Sequence, residues 1–257
     1  MDLLAPYAVA LVGGALIGLL LAVFGGGGSV MATPLLVYGV GVRDPHVAIG
    51  TAAAAVAVNA AAGLFGQARA GRVKWPCATV FGAAGLAGSL AGAHLAKQMD
   101  GHRLLLWFAL AMALIGASML LPKRGEGDPA VHLTPALVWK LAPVGVATGF
   151  AAGFFGIGGG FLIVPGLMAA TGMTLAHAAA SSLLSVALFG AATSASYAVS
   201  GLVDWPIFAV MVVGGAAGVA AGGPLARRLA TRADIARRIF ALMVIATAAY
   251  VAWRALA

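Results

Sequence analysis

The chain states one pattern twice. Phe24-Gly25-Gly26-Gly27-Gly28-Ser29, with Pro34, Gly41 and His46 behind it, returns 131 residues later as Phe155-Gly156-Ile157-Gly158-Gly159-Gly160, with Pro165, Gly172 and His177. A second block returns after 130 residues, where Gly71-x-Val73-x-Trp75-Pro76 becomes Gly201-x-Val203-x-Trp205-Pro206. Its continuation Gly85, Gly88, Gly92 and Leu95 matches Gly215, Gly218, Gly222 and Leu225. Each copy is about half the chain, which makes this a duplicated unit and not a short-period solenoid. In an apolar chain such a duplication points to a transporter.

The solvent is a bilayer. Apolar residues make up 62% of the chain and charged residues 9%, against roughly 45–50% and about 25% in soluble domains. Long uncharged runs cover 3–42, 45–66, 75–96, 104–122, 141–173, 176–203, 205–226 and 239–253. About 20 apolar residues suffice for one helical crossing. The runs 3–42 and 141–173 are too long for one crossing, and each holds a glycine cluster and a proline, so each reads as a pair of segments. The first run starts with Asp2 in place of basic residues and is expected to stay in the mature protein. Cys77 is the sole cysteine, which leaves no internal disulfide and no cysteine metal cluster. The net charge of +8 sits in short loops, where membrane topology accounts for it and nucleic acid is not needed.

Counting Lys and Arg separates two topologies. If the short segments 29–42 and 161–172 dip in and return, the two sides carry 7 and 8 basic residues. If each completes a crossing, one side carries 11, from Arg69 to Arg238, and the other carries Arg43, Lys97, Arg103 and Arg254. Only the second split has the asymmetry of cytoplasmic and external loops. The expected fold is therefore an all-α polytopic membrane protein of two inverted repeats, about five segments each, with short broken helices after the Gly-rich motifs. Residues 1–121 form the first repeat, 122–134 a charged cytoplasmic linker rich in helix breakers, and 135–257 the second repeat.

Non-helical backbone at membrane depth survives only where protein or a water-filled cavity surrounds it. Consecutive glycines let N–H groups converge, and a helix starting at Ser29 or Gly160 would aim its positive end at the same place, forming an anion site without a charged side chain. The competing reading is close helix packing by small residues. Neither cluster is a Walker loop, since Gly28 is followed by Ser29 and Val30.

With those motifs in view, the chain resembles the sulfite exporter TauE/SafE family, also called the 4-toluene sulfonate uptake permeases. The resemblance rests on Gly-x-Gly-Gly-Gly-x-x-x-x-Pro at 156–165, its copy Gly25 to Pro34, and the two Trp-Pro loops. It implies a carrier or exporter of sulfite, sulfonates and related sulfur-containing anions in the bacterial plasma or inner membrane. The first copy departs from the pattern, with Ser29 where the second has Gly160 and Gly26 where it has Ile157.

The expected substrate-binding residues are Gly27, Gly28, Ser29, Asn59, Gly158, Gly159, Gly160, Ser181 and Ser182, with the hydroxyls and amide as donors to an oxyanion. At offset 131, Thr51 aligns with Ser182, and His46 with His177. These histidines, with Pro34 and Pro165, are candidates for coupling or gating, since an imidazole titrates near neutrality. The same hydroxyls could instead bond helix carbonyls, and the histidines could simply sit in the interface. Trp75 and Trp205 read as interfacial anchors, and Arg43 with Asp44 as a surface ion pair or an anion attractant. The expected partners are a small anionic substrate and the lipid bilayer, without nucleic acid, cofactor or metal. An enzyme would need a nucleophile with a base or metal in reach, and no span holds an acidic residue. An anion or small-solute channel is the alternative to a carrier.

Overall fold

The structure is a computed structural model that describes residues 5–120, 127–128, 131–156, 160–230 and 233–256. The described residues form helices α1 (Ala5–Phe24), α2 (Ala32–Pro34), α3 (Pro45–Arg69), α4 (Trp75–Ala96), α5 (Gly101–Leu120), α6 (Pro135–Phe155), α7 (Gly160–Thr171), α8 (Leu175–Val199), α9 (Trp205–Ala230) and α10 (Ala233–Leu256). Between α1 and α3 the chain also winds as a 3₁₀ turn, Gly25–Met31, and a π turn, Leu35–Val40. In lipid each helix satisfies its own backbone, which is why a chain of this composition is helical. Prolines occupy the first turns of α3, α4 and α6, where their missing N–H costs nothing.

Eight described stretches are long and apolar enough to cross a membrane. The first of them, Ala5–Val40, is a hairpin. Gly28 lies on the backbone of Leu20 and Leu21, Leu35 fills the space beside Gly13, and Gly39 faces Val9. The segment 25–40 thus runs back along the length of α1. Helix α3 then runs in the α1 direction: Asn59 covers Gly215, which faces Gly18, and Gln67 Nε2 donates to the carbonyl of Ala22 (3.5 Å). The fold-back repeats in the second half, where Gly166 of α7 packs on Thr148 and Val144 of α6.

Two helix pairs are joined by small residues. Along α1 and α9, Leu11 meets Gly214, Ala15 meets Gly218, and Leu19 meets Gly222. Along α4 and α6, Phe81 meets Gly145, Gly85 meets Gly149, and Ser89 meets Gly153. Numbers rise together in both pairs, so both pairs are parallel. Backbones this close are the membrane form of helix association, in which a missing side chain supplies the van der Waals contact. Helix α4 runs in the direction of α8, with Gly82 near Ser185 and Ser89 bonded to the Phe189 carbonyl, and α8 runs against α3, so α4 and α6 both run against α1. At the centre α3 and α8 pack antiparallel, with Gly50 near Tyr197, Ala57 near Gly190, and Gly63 near Leu183. The outer pair α5 and α10 is also antiparallel, pinned at one end where His102 Nε2 pairs with the Ala255 carbonyl at 2.8 Å.

The structure fixes the register between the copies. Asp44 and Thr174 cap α3 and α8, and both helices start on the next residue. Two residues separate Gly41 from Asp44 but only one separates Gly172 from Thr174, so the first copy carries an extra residue in this turn. That is why the sequence match changes from 131 to 130. It corrects two alignments, since Thr51 corresponds to Ser181 and not to Ser182, and His46 and His177 are not equivalent; Asp44 is the counterpart of Thr174. His46 is the second residue of α3 and His177 the third of α8, about 100° apart around a helix.

Candidate functional site

The two glycine clusters are where each half reverses direction. Gly25 and Gly156 end α1 and α6 with φ of 63° and 65°, the left-handed region that a Cβ disfavours. Space is as restrictive as conformation: a Cβ on Gly25 would fall on the Ala179 carbonyl, and one on Gly156 on the side chain of Ile49. Each reversal is therefore seated against the central helix of the other half.

The broken segments then touch. A Cβ on Gly160 would fall on the Gly26 carbonyl, and one on Gly26 would lie 2.7 Å from Gly160 Cα. Gly26 and Gly160 are in backbone contact because neither has a side chain. The Gly26 N–H donates to Ser182 Oγ at 3.0 Å, and Ser182 Oγ–H donates to the Ala179 carbonyl at 2.8 Å. Ser29 Oγ–H donates back to the Gly26 carbonyl at 2.8 Å. Ser29 and Ser182 are fully buried, and hydroxyls paired in this way hold non-helical backbone at membrane depth.

The expected site residues therefore separate into groups. Ser29, Gly160 and Ser182 meet at this crossing. Gly27 and Gly28 stand beside it as packing positions, Gly27 under the Phe240 ring and Gly28 on α1. Gly158 and Gly159 lie outside the described residues. Ser181 is turned elsewhere: its Oγ accepts from Lys74 N at 2.9 Å, just as Thr51 Oγ1 accepts from Asp204 N at 2.8 Å. Those bonds cap the starts of α4 and α9. The expectation that the helix of the first copy starts at Ser29 is corrected, because the chain already winds as a 3₁₀ turn from Gly25.

Asn59 occupies the space over Gly215, with Nδ2 3.4 Å from the Met211 carbonyl and Oδ1 lacking a partner. Its counterpart at offset 130 is Phe189, whose ring lies over Gly85 and stacks on Phe81 with centroids 6.5 Å apart. Buried Thr33 Oγ1 and Ser185 Oγ also lack partners. The histidines stand at opposite ends of the antiparallel α3–α8 pair. His46 Nε2 pairs with the Met99 carbonyl (3.1 Å), and His177 Nδ1 with Thr174 Oγ1 (2.8 Å). Pro34 is buried just before the π turn, whereas Pro165 lies inside an unbroken α7. Sequence reasoning places Gly25, Gly26 and Gly156 in the breaks but not among the binding residues, whereas the structure puts Gly25 and Gly156 at the reversals and Gly26 at the crossing. Their signal was the repeated Phe-Gly step at which each cluster begins.

The family model described as sulfite exporter TauE/SafE matches residues 10–251. The chain belongs to that family. A protein named probable membrane transporter protein from Xylella fastidiosa strain Temecula1 is 47% identical over 94% of this chain and 93% of its own length. Probable membrane transporter protein YunE of Bacillus subtilis is 27% identical over 85% of each chain. No solved structure matches. With this family and these spans, the chain is a multi-pass membrane transporter.

Proposed function

We propose that the chain is a secondary transporter, not an enzyme, moving a small sulfur-containing anion such as sulfite, thiosulfate or an organosulfonate across the bacterial inner membrane. In this reading the halves, 1–121 and 135–257, are inverted repeats related by an axis in the membrane plane. The observation that carries it is the backbone contact of Gly26 with Gly160, one residue from each half's broken segment. Opposed directions of α1 and α6, with five segments in each half, support the inversion.

The crossing suits an anion that must also leave. A lysine or arginine at the bilayer centre costs roughly 2.5–3.5 kcal/mol on insertion scales, and would hold an anion tightly. Helix ends and backbone N–H groups supply partial charge at about 0.3–1 kcal/mol each. In the proposed cycle the substrate takes the Gly26 N–H in place of Ser182 Oγ, and Ser29 Oγ–H, released from the Gly26 carbonyl, supplies a further donor. Affinity is then on the order of micromolar to millimolar, about −8 to −4 kcal/mol. Rocking of one half against the other opens the site to each side in turn.

The test is flux into proteoliposomes with sulfite, thiosulfate, taurine, sulfoacetate and sulfate under imposed gradients. Saturable flux with counterflow is expected for at least one sulfur anion, with a clear loss in Ser29→Ala, which removes a proposed donor without adding bulk. Linear flux without counterflow would mean a channel, and no flux of any of the five would sink the substrate class. For the inversion, cysteines placed at Arg69 and Asp204 should label from opposite faces. Labelling from one face would refute it.

A further inference from the structure

A groove of about 400 Å³ opens on the lateral surface between the broken segment 25–40 and α10, lined by Met31, Leu35 and Tyr38 on one wall and Met243, Ala246 and Tyr250 on the other. The walls run parallel: Phe24 stacks near Phe240 (centroids 5.0 Å) at one end, and Tyr38 meets Tyr250 edge-on (5.6 Å) at the other. Its surface is almost wholly apolar, and the aliphatic hydroxyl in the α10 wall, Thr247 Oγ1, is spent on the Met243 carbonyl (2.9 Å).

The chemistry changes in order along the groove. Met243 to Tyr250 is seven residues, about 10 Å of helix rise. Past the tyrosine pair, one turn further on α10, the Arg254 guanidinium lies 5.4 Å from the Tyr38 ring centroid, beside Trp253, which is 66% exposed. An apolar trough, an aromatic collar and then a cation match the acyl chain, glycerol region and phosphate of a phospholipid, in the same order and on the same scale. Tyrosine and tryptophan settle at the headgroup level of a bilayer, and a basic residue there attracts an anionic head.

We propose that this groove is a binding site for one anionic phospholipid, its acyl chain along Met31–Tyr38 and Met243–Tyr250 and its phosphate at Arg254. The inner wall is the broken segment itself, so the lipid packs against the element that carries Gly25–Ser29. The site is separate from the proposed substrate crossing, and the inference does not rest on which anion is transported.

The probe is native mass spectrometry of the full-length chain in detergent, titrated with phosphatidylglycerol or with phosphatidylcholine of the same acyl chains. Wild type should retain one phosphatidylglycerol with about fivefold preference, the effect of roughly one interfacial charge. Arg254→Gln should bring the preference below about twofold while keeping binding of both lipids. Ala246→Phe, which fills the trough from the lipid side, should weaken both lipids equally, and an unchanged gel-filtration profile shows that the variant is folded. The proposal is overturned if wild type does not distinguish the lipids or if Arg254→Gln keeps the preference. It also fails if glycerol phosphate competes as well as the intact lipid, which would make Arg254 a plain anion site, or if a second copy of the chain occupies the groove.

Discussion

The two broken segments have one origin and two structures. In the first half the run after the reversal is a 3₁₀ turn, a single α turn ending at Pro34, and a π turn. In the second, α7 is one α-helix from Gly160 to Thr171, with Pro165 inside it. The central helices differ likewise. Asn59 leaves a buried oxygen unpaired where Phe189 completes an aromatic stack, and Ser182, which holds Gly26, corresponds at offset 130 to Ala52, which has no hydroxyl. The two copies thus share a scaffold but place their polar groups differently, Asn59 against Phe189 in one direction and Ser182 against Ala52 in the other, and only the first has an irregular broken segment. Irregular helical turns concentrate at functional sites, so the first half's segment is the one we expect to move.

The comparison is broken most severely at the crossing. Gly160→Ala sets a Cβ on the Gly26 carbonyl, which cannot move aside as a flexible side chain can, whereas Gly26→Ala also meets the side chain of Val186. Overpacking usually costs about 1–3 kcal/mol and backbone collision exceeds that range. We expect Gly160→Ala to lose the folded protein or at least tenfold in flux, with a smaller loss for Gly26→Ala. Thermal melting in detergent alongside flux would decide the order, and equal mild effects would show that the segments do not meet.

Next come the paired positions on α3 and α8. Phe189→Ala should lower stability by about 3–5 kcal/mol, the usual cost of emptying a buried aromatic site. Asn59→Ala, which removes only a long hydrogen bond, should cost about 1 kcal/mol or less in stability and yet reduce flux several-fold. If flux tracks stability in both variants, Asn59 is a packing residue and the polar side carries no function.

A finer contrast lies between adjacent serines. Ser182→Ala leaves the buried Gly26 N–H without a partner and should destabilise by about 1–3 kcal/mol. Ser181→Ala frees the Lys74 N–H at a helix start near the loop, where water can replace the hydroxyl, so less than about 1 kcal/mol is expected. Denaturant or thermal melts of the two variants side by side would expose a reversed order, which would place Ser181 and not Ser182 at the crossing.

The smallest effect is expected at the inserted residue. Arg43 stands in the extra position of the Gly41–Asp44 turn, is exposed, and is absent from the second copy. Arg43→Ala should change stability by no more than about 0.5 kcal/mol and leave saturating flux unaltered. A loss of saturating flux would move the substrate site from the crossing to this end of the bundle.

The sequence by itself determined the membrane class, the duplication and the place of every reversal, because these follow from composition, from exact recurrence and from glycine runs that only a break in a helix requires. Hydropathy and loop charge also separated two topologies, and the segment 25–40 runs back along α1 as far as Val9. Tertiary structure alone decided which residues of each cluster meet. Contact between Gly26 and Gly160 depends on how two halves pack, and no local pattern encodes a distance between residues 134 positions apart. It also decided the register of the copies: the extra residue is taken up in the turn before α3, so Thr51 and Ser181 make the same cap, while Ser182, one position and about 100° further round α8, holds the crossing. Identical residue types read alike in a string, and only packing tells a hydroxyl spent on a helix start from one spent on the backbone at the centre of the molecule.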